Sequence, residues 1–455
     1  MMDPNIFKAY DIRGIYDQDF DDAFAYQLGL AYVALRRSDQ DTGDRQLNIV
    51  VGYDMRLSSG NLKNTLIEGL LDAGANVIDI GLTSTPTFYF AVANFNYDGG
   101  LMISASHNPA QWNGFKMVRS RAIPISCDTG INFLRDQILT GDLAKATQPG
   151  ELITRNDTLT EQLKHDLRWA DLNKIKPLKI AADPASGMGA QYLEVLFSVL
   201  PVELVKMNFA IDGTFPVHEA DPIKPENVRD LEKLVVSEQA DLGIAIDGDG
   251  DRIFFVDNNG QVVNQAIIRG ILAKIFLRDK PGAKIAYDVR PGKITDDLIR
   301  ENGGIPIITK VGHSLIKEQV LKENAYFAGE SSGHFFLNMN IGCFEVPLIV
   351  ILKLLQEFSE SGQSVSEYIK PYERYFSSGE INSSVSDKAG VLKALAERYS
   401  DGEISHLDGI SVTYPDFWFN VRGSNTENTM RLNLEARSRE IMEQKRDEVL
   451  RIIRN

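Results

Sequence analysis

One pattern occurs three times in this sequence and restricts its fold more than any other feature. In each copy an apolar strand ends in an aspartate, a polar turn with glycine follows, and a helix-like run leads to a second apolar strand. The copies span residues 48–80, 178–207 and 283–309. Strand, helix and strand at this spacing form a parallel βαβ unit. The sequence therefore predicts three α/β domains of related plan.

The sequence after residue 364 has a different pattern. Strand-like segments at 379–386, 409–413, 418–421 and 431–435 are bracketed by helical stretches at 387–399 and 439–453, which is typical of an α+β domain. Polar stretches with glycine at 140–151, 257–260 and 358–362 are typical of turns and linkers. We therefore expect three α/β domains with mixed sheets at residues 1–150, 151–256 and 257–364, and a C-terminal α+β domain at 365–455.

Composition excludes several functional classes. The chain has 63 acidic and 48 basic residues, a net charge of −15, which argues against a nucleic-acid or anionic-membrane surface but not against a small anionic substrate. Its two cysteines, Cys127 and Cys343, form no disulfide framework and no zinc site. The N-terminus does not resemble a signal peptide, and the most apolar segment, 346–352, is far shorter than the ~20 residues of a membrane span. We expect a buried helix there and a soluble, cytoplasmic protein.

Residues 243–252 carry the most specific local signal. An apolar strand is followed by Asp247, Asp249 and Asp251, separated by glycines. Three carboxylates so close together repel one another without a cation, and an all-oxygen set suits Mg²⁺. An EF-hand calcium loop is excluded, because Arg252 stands where that loop requires glycine and Asn258 where it requires glutamate. Arg252 suits neutralisation of a phosphoryl group, or an internal ion pair with the aspartates.

Residues 104–109 follow an apolar strand and contain Ser106 and His107. A strand that ends in a small polar loop is a common way to present a nucleophile, although an ordinary surface turn has the same composition. Lys116, soon after, supplies an amine that burial can adapt to acid–base chemistry. Arg13, before a glycine near the N-terminus, adds a further cation.

Two later loops suit a sugar phosphate. Residues 329–334 include Glu330, Ser332 and His334, whose polar groups suit sugar hydroxyls, although a helix N-cap is an alternative. His313 follows a strand in a glycine loop, where a lone histidine is more often structural. Residues 422–427 form a small polar loop in which Arg422 can bind an oxyanion bidentately, although a hairpin turn is an alternative.

Taken in order, residues 10–14, 104–109, 113–116, 247–252, 312–313, 329–334 and 422–427 resemble the α-D-phosphohexomutase superfamily, in particular its phosphomannomutase/phosphoglucomutase branch. The resemblance covers essentially the whole chain. It implies four domains around a central active-site cleft, each contributing one loop.

The resemblance implies a role for each matching residue. The implied catalytic residues are the phosphoserine Ser106, His107, Lys116, Arg252, His313 and His334. The implied substrate-binding residues are Tyr10, Arg13, Arg290, Glu330, Ser332, Arg422, Ser424, Asn425, Thr426 and Arg431. The implied ligands of Mg²⁺ are Ser106, Asp247, Asp249 and Asp251. Lys116, His313 and His334 are the candidates for proton transfer, and the loop after Arg422 would bind the phosphate that is not reacting.

The implied reaction interconverts hexose 1-phosphate and hexose 6-phosphate, of mannose or glucose, through a hexose 1,6-bisphosphate that also serves as activator. We expect a phosphosugar substrate, no nucleic-acid or membrane partner, and a monomer or weak homo-oligomer. The alternatives are a phosphoglucosamine mutase, which usually has glycine at the position of Asn425, a Mg²⁺-dependent sugar phosphatase, and a non-catalytic sugar-phosphate binding protein.

The chain departs from the family pattern at four places. Ser104 stands where threonine is usual, Asn428 where many members have proline, and Arg290 where lysine is frequent. Residues 342–345 lack the acidic-glycine sequence expected there, so the role of that segment stays open.

Overall fold

The computed structural model describes residues 3–43, 45–423 and 429–454. The chain divides into two compact units: unit 1 comprises Met1–Val263 and Ser332–Ser366, and unit 2 comprises Asn264–Ser331 and Glu367–Asn455. Among the described helices, none combines the length and the apolar character that a membrane span needs.

The first sheet of unit 1 has six strands in the spatial order β1-β5-β4-β2-β3-β6. The strands are β1 (Ile12–Ile15), β2 (Asn48–Tyr53), β3 (Asn76–Leu82), β4 (Gly99–Ile103), β5 (Trp112–Arg119) and β6 (Leu152–Thr154), and the helices are α1 (Asp22–Ser38), α2 (Ser59–Asp72), α3 (Thr85–Asn94) and α4 (Asn132–Thr140). β2 pairs parallel with β3 and β4, and β5 pairs antiparallel with β4 and β1. The predicted βαβ unit and mixed sheet are confirmed. The sheet continues past the expected boundary at residue 150, because β6 pairs with the outer edge of β3.

The second sheet of unit 1 has the order β10-β9-β7-β8. Its elements are α5 (Thr158–Asp166), β7 (Leu178–Asp183), α6 (Gly189–Phe197), β8 (Val202–Lys206), α7 (Pro225–Ser237), β9 (Leu242–Ile246) and β10 (Ile253–Asp257). β7 lies between parallel partners β8 and β9, and β10 runs antiparallel to β9. Every residue of β9 and β10 is buried, so the turn between them, which carries the three aspartates, starts from a fixed base.

The third βαβ unit begins unit 2. Its elements are α8 (Gln265–Asp279), β11 (Lys284–Asp288), α9 (Lys293–Glu301), β12 (Ile305–Thr309), α10 (His313–Glu323) and β13 (Phe327–Gly329). β11 pairs parallel with β12, as the repeated pattern predicts, and also pairs parallel with β13, which lies beyond that pattern. In unit 1, β14 (Phe335–Asn338) and β15 (Cys343–Glu345) form an antiparallel pair and precede α11 (Pro347–Ser361). α11 confirms the buried helix expected for the apolar segment 346–352.

The C-terminal part of unit 2 is an α+β domain, as predicted. Its elements are α12 (Val365–Ile369), which begins before the unit boundary, β16 (Phe376–Ser384), α13 (Lys388–Arg398), β17 (Glu403–Ser405), β18 (Ile410–Thr413), β19 (Phe417–Gly423), β20 (Thr429–Ala436) and α14 (Arg439–Arg454). The sheet is antiparallel with the order β16-β20-β19-β18-β17. Its core joins strand residues such as Phe419 and Leu432 to Leu395 of α13 and Val449 of α14. The antiparallel register fixes which side chains face one another across β19 and β20.

Candidate active site

Ser106 lies in the loop between β4 and β5, and only 2% of its surface is exposed. Its backbone has a φ of 50°, in the left-handed region, and its N–H donates to Ser104 Oγ at 2.9 Å. Its Oγ donates to Asp247 Oδ2 at 2.8 Å. The Nδ1 of His107 lies 3.3 Å from Ser106 Oγ. The alternative of an ordinary surface turn is therefore wrong, because the loop is buried against the aspartate turn.

Asp247, Asp249 and Asp251 converge in the buried turn between β9 and β10. One carboxylate oxygen from each lies within 4.8 Å of the others. Asp247 Oδ1 accepts from the backbone N–H groups of Asp251 and Arg252, whereas Asp249 Oδ1 is buried with no hydrogen-bond partner among the described residues. A buried carboxylate oxygen without a partner is costly, and a hard cation relieves that cost. These residues fit Mg²⁺.

Lys116 on β5 is the cation paired with this cluster. Its Nζ donates to Asp249 Oδ2 and to Asp251 Oδ2, each at 2.6 Å. Burial alone lowers the pKa of Lys116, but the charges of Asp249 and Asp251 outweigh burial and raise it well above its usual value. Burial, followed by the charges of its two neighbours, raises the pKa of Asp247 well above the usual range. Lys116 bonds two of the three carboxylates and leaves Asp249 Oδ1 without a hydrogen-bond partner among the described residues, so the cluster can take a further cation.

His334 lies at the same cluster. Its Nε2 is 3.1 Å from Asp251 Oδ1, and its Nδ1 is 2.9 Å from Ser332 Oγ. Burial raises the pKa of Asp251, but Lys116 and His334 together hold it well below its usual value. Residues 331–333 form turns and bends, so the alternative of a helix N-cap for this segment is wrong.

Two arginines flank the serine loop. Arg13 donates from Nε to Asp11 and from Nη1 to Asn108 Oδ1, both at 2.7 Å. Arg252 Nη1 lies 3.6 Å from Asp221 Oδ1, and its Nε lies 4.0 Å from Asp247 Oδ2. Burial, followed by the charges of Arg252 and Arg13, lowers the pKa of His107 well below its usual value. The guanidinium groups of Arg13 and Arg252 therefore add positive charge beside His107, which suits a phosphoryl group.

In unit 2, Glu330 is held by a second set of contacts. Its Oε1 accepts from Arg290 Nη2 at 3.2 Å and from the Gly312 N–H at 3.1 Å. Arg290 Nε also donates to Asp288 at 2.7 Å. His313 is the first residue of α10 rather than part of a loop, and it is buried. Tyr10, in unit 1, is half-buried.

Arg422 and Arg431 face one another across β19 and β20 in unit 2. Arg422 Nη2 lies 3.4 Å from Glu380 Oε2, and Arg431 Nη1 lies 3.5 Å from Glu380 Oε1. The Nε of each arginine is buried with no hydrogen-bond partner among residues 3–43, 45–423 and 429–454. Burial, followed by the charge of Arg290, lowers the pKa of Arg422. Like charges placed directly opposite destabilise a sheet, so this pair suits an anionic ligand. The other predicted members of this loop, Ser424, Asn425 and Thr426, lie outside the described residues.

Two residues that the sequence did not indicate also belong to this region. Thr85, the first residue of α3, donates from Oγ1 to Asp249 Oδ2 at 2.5 Å and from its N–H to Asp249 O at 2.9 Å. Arg56 is buried and donates to the backbone carbonyl groups of Ser106, Asn108 and Pro109 in the serine loop and of Trp112, the first residue of β5. A usable signal for Arg56 was its place two residues after Asp54, the aspartate that ends the first repeated strand.

Four family profiles match the chain in order. Residues 4–144, 157–260 and 265–375 match "Phosphoglucomutase/phosphomannomutase, alpha/beta/alpha domain" I, II and III, and residues 380–452 match the "C-terminal domain" of the same family. These segments contain the serine loop, the aspartate turn, Glu330 and the facing arginines, respectively.

Relatives match over nearly the full length. A phosphomannomutase of Methanocaldococcus jannaschii is 37% identical over 450 residues, covering 98% of this chain and 97% of that protein. The "phosphohexose mutases" protein of Xanthomonas campestris pv. campestris is 36% identical over 453 residues, covering 98% and 99%. The crystal structure of a phosphoglucomutase/phosphomannomutase family protein from Burkholderia thailandensis superposes with a TM-score of 0.89 at 31% identity, covering 99% of this chain and 97% of that one. The chain belongs to the phosphoglucomutase/phosphomannomutase family and is a phosphohexomutase, an isomerase.

Proposed function

We propose that this enzyme interconverts the 1-phosphate and 6-phosphate of mannose, glucose or both, through a phosphoserine at Ser106 and a hexose 1,6-bisphosphate. The observation that carries the proposal is the 2.8 Å contact between Ser106 Oγ and Asp247 in a buried carboxylate cluster. A hydroxyl beside oxygen ligands for a hard cation is suited to carry a phosphoryl group next to that cation.

The proposed chemistry needs positioning and charge more than covalent assistance. Bound by Asp247, Asp249 and Asp251, Mg²⁺ would supply positive charge that stabilises the phosphoryl group in transfer. Lys116 adds an ammonium fixed by two carboxylates, and Arg252 adds a guanidinium near Asp247. Lys116 is buried and Arg252 is half-buried, so their charge is screened less than in water.

The proposed reaction has two transfer steps. A hydroxyl oxygen of the sugar phosphate forms a bond to the phosphorus of phospho-Ser106 as the bond from phosphorus to Ser106 Oγ breaks, which gives the 1,6-bisphosphate. The hydroxyl proton passes to one of the residues proposed for proton exchange, namely His313, His334 or, in its neutral amine form, Lys116. In the second half, Ser106 Oγ forms a bond to the phosphorus of the other phosphoryl group as its bond to the sugar oxygen breaks, the proton passes to that oxygen, and the sugar leaves as the isomeric monophosphate.

Binding of the phosphate that does not react is proposed for Arg422 and Arg431, together with Ser424, Asn425 and Thr426. In the part of the chain that the structure describes, both arginines contact Glu380 and each keeps a buried Nε without a hydrogen-bond partner, which suits a phosphate. The sugar hydroxyls are proposed to bind Glu330 and Ser332. The remaining proposed substrate contacts are Tyr10, Arg13, His107 and Arg290.

The proposed function is tested with mannose 1-phosphate and glucose 1-phosphate, each with Mg²⁺ and a catalytic amount of glucose 1,6-bisphosphate. We expect the 6-phosphates to form without release of inorganic phosphate. Stoichiometric phosphate release would indicate the phosphatase, no turnover would indicate the binding protein, and much faster turnover of glucosamine phosphate would indicate the phosphoglucosamine mutase.

A matched pair of variants tests the nucleophile. Ser106→Ala is expected to abolish turnover and the phosphorylated form seen by intact mass, while phosphosugar binding measured by calorimetry remains. Ser198→Ala, which removes an exposed hydroxyl of unit 1, is the control and should keep full activity. Near-wild-type turnover in Ser106→Ala would contradict the phosphoserine.

A further inference from the structure

Arg56 is a buried arginine whose contacts converge on the serine loop. Its Nη2 donates to the carbonyl groups of Ser106 at 2.8 Å and Asn108 at 2.6 Å. Its Nη1 donates to the carbonyl groups of Pro109 at 2.7 Å and Trp112 at 3.0 Å. With the Nε bond to Asp54 Oδ2 at 3.2 Å, all five N–H donors of the guanidinium are used. A side chain without solvent exposure therefore fixes the backbone at the nucleophile and over the residues that follow it.

Asp54 ties this guanidinium to the rigid part of the fold. Its Oδ1 accepts from the Arg56 N–H at 3.0 Å and from Ser59 Oγ at 2.7 Å. Asp54 directly follows β2, and Ser59 begins α2, so neither anchor belongs to the serine loop. Through Arg56 and Asp54, the serine loop is therefore anchored to the end of β2 in the first sheet.

The loop needs such support, because Ser106 has a left-handed backbone. That conformation costs about 1–2 kcal/mol for a residue other than glycine. The Ser106 carbonyl that Arg56 holds also lies against Gly248 of the aspartate turn, where a Cβ would come within 2.5 Å of it. A displacement of this carbonyl therefore changes the spacing between Ser106 and the carboxylates.

A similar pairing of an aspartate with an arginine two residues later occurs a second time in the chain. In the third repeat, Asp288 ends β11, and Arg290, two residues later, donates from Nε to it and from Nη2 to Glu330. In both repeats, an arginine two residues beyond the strand-ending aspartate uses its Nε on that aspartate and its Nη groups on a loop of the proposed site. The second repeat has Ala185 at this position and lacks the pairing.

We propose that Arg56 is a positioning residue for phosphoryl transfer, which holds Ser106 at the spacing from Asp247, Asp249 and Asp251 that transfer requires. This inference rests on the proposed function of Ser106. Arg56 does not contact the reacting oxygen; it acts through the backbone of the serine loop.

Arg56→Lys is the main test, because an ammonium has three donors on one atom and cannot reproduce the planar fork. Misplacement of a reacting group by about 1 Å costs on the order of 10²-fold in rate. We expect kcat of Arg56→Lys to fall about 10²-fold while KM for the sugar phosphate stays within about threefold, because the proposed phosphate-binding arginines are untouched. The rate of Ser106 phosphorylation by glucose 1,6-bisphosphate, followed by intact mass in a single turnover, should fall by the same factor.

Arg36→Lys is the matched control. Arg36 is equally buried in unit 1 and bonds to Asp41 and to the Asp98 carbonyl, away from the serine loop. Its replacement should lower the melting temperature without changing kcat per folded molecule. A kcat loss in Arg56→Lys that only matches its loss of folded protein would overturn the inference.

Asp54→Asn keeps the guanidinium but loosens its anchor, so it should lower kcat by a smaller factor, again without changing KM. If Arg56→Lys does not fold, the kcat and KM of Asp54→Asn test the positioning role instead. Wild-type protein that fails to transfer a phosphoryl group to Ser106 would refute the proposed function itself. Wild-type transfer together with unchanged transfer rates in both variants would refute the positioning role alone.

Discussion

Each compact unit holds a cluster of charged side chains, one mainly acidic and the other mainly basic. In unit 1 the aspartates of the β9–β10 turn contact Lys116, His334 and Arg252, and Asp249 Oδ1 still has no hydrogen-bond partner among the described residues. In unit 2 the facing pair Arg422 and Arg431 both contact Glu380, and within residues 3–43, 45–423 and 429–454 the Nε of each has no hydrogen-bond partner. The first cluster keeps an acceptor for a cation, and the second keeps donors for an anion. Each therefore indicates the sign of the ligand that would complete it.

The clusters also differ in how the chain builds them. The three aspartates lie within five consecutive residues, so their proximity is fixed locally and is visible in the sequence. Arg422 and Arg431 are brought together only by the antiparallel register of β19 and β20. A cluster encoded in a turn can be predicted from spacing alone, whereas a cluster encoded in strand register requires the fold.

Asp249→Asn breaks the acidic cluster and should have the largest effect. It removes one proposed cation ligand and one acceptor for Lys116 without a large change in volume. Metal stabilisation of a phosphoryl group is worth several kcal/mol, so we expect turnover to fall on the order of 10³-fold. Calorimetric titration with Mg²⁺ should show weaker binding independently of activity.

Asp230→Asn is the control for this variant. Asp230 is an exposed carboxylate of α7 whose charge partner is Lys233. Its loss should change neither Mg²⁺ affinity nor turnover. Equal Mg²⁺ affinity in Asp249→Asn and wild type would show that the triad is not the cation site.

Arg422→Lys tests the basic cluster. It keeps the charge but removes the planar fork that binds an oxyanion bidentately. A charge-assisted hydrogen bond of about 1.5–3 kcal/mol is lost, so KM for the sugar phosphate should rise roughly 10- to 100-fold, with a smaller change in kcat.

Steady-state kinetics beside Arg451→Lys, an exposed arginine of α14, provides the comparison. A fall in kcat with unchanged KM would remove Arg422 from substrate binding. It would also remove the basis for treating the two clusters as complementary.

Much of the fold could be predicted from the sequence. The three βαβ units follow from short-range pattern, because strand, turn and helix signals lie within about thirty residues of one another. The aspartate triad and the serine loop were identified for the same reason. The boundaries between the four domains and the roles of the site residues stay predictions.

The missed residues share a physical cause. Arg56 acts on carbonyl groups at Ser106 and beyond, and Thr85 acts on Asp249, 164 positions away. Lys116 was identified, but its pairing with Asp249 and Asp251 was not, since these residues lie 133 and 135 positions away. Backbone carbonyl groups leave no trace in a sequence, so the four carbonyl contacts of Arg56 could not be predicted, and its place two residues after Asp54 was the one available signal.

Glu380→Gln tests the basic cluster through its carboxylate rather than through an arginine. It removes the carboxylate that the facing arginines share and increases the excess positive charge of their cluster. An attraction of about 1 kcal/mol at a partly exposed site corresponds to roughly fivefold in affinity, so inorganic phosphate should bind a few-fold more tightly. Calorimetry with phosphate at fixed ionic strength measures this change, and weaker binding would mean that Glu380 orders the arginines rather than competing with the anion.

The pair of His218 and Asp183 in unit 1 has one group of each charge. We expect its disruption to have the smallest effect of the changes described. His218 Nε2 lies 3.0 Å from Asp183 Oδ2, and this hydrogen bond raises the pKa of His218, with the more distant Asp230 adding to the rise. A histidine whose pKa is raised on folding stabilises the fold fully below its unfolded pKa of about 6.5 and loses that contribution as pH rises through the folded pKa. The difference in unfolding free energy between wild type and His218→Gln should therefore be about 1 kcal/mol or less near pH 5.5 and should decrease as the pH rises through the folded pKa of His218. Because one cation faces one anion, neither Mg²⁺ nor phosphate should shift this dependence, and denaturant titrations across that pH range with each ligand would reveal a shift if the pair were coupled to either cluster.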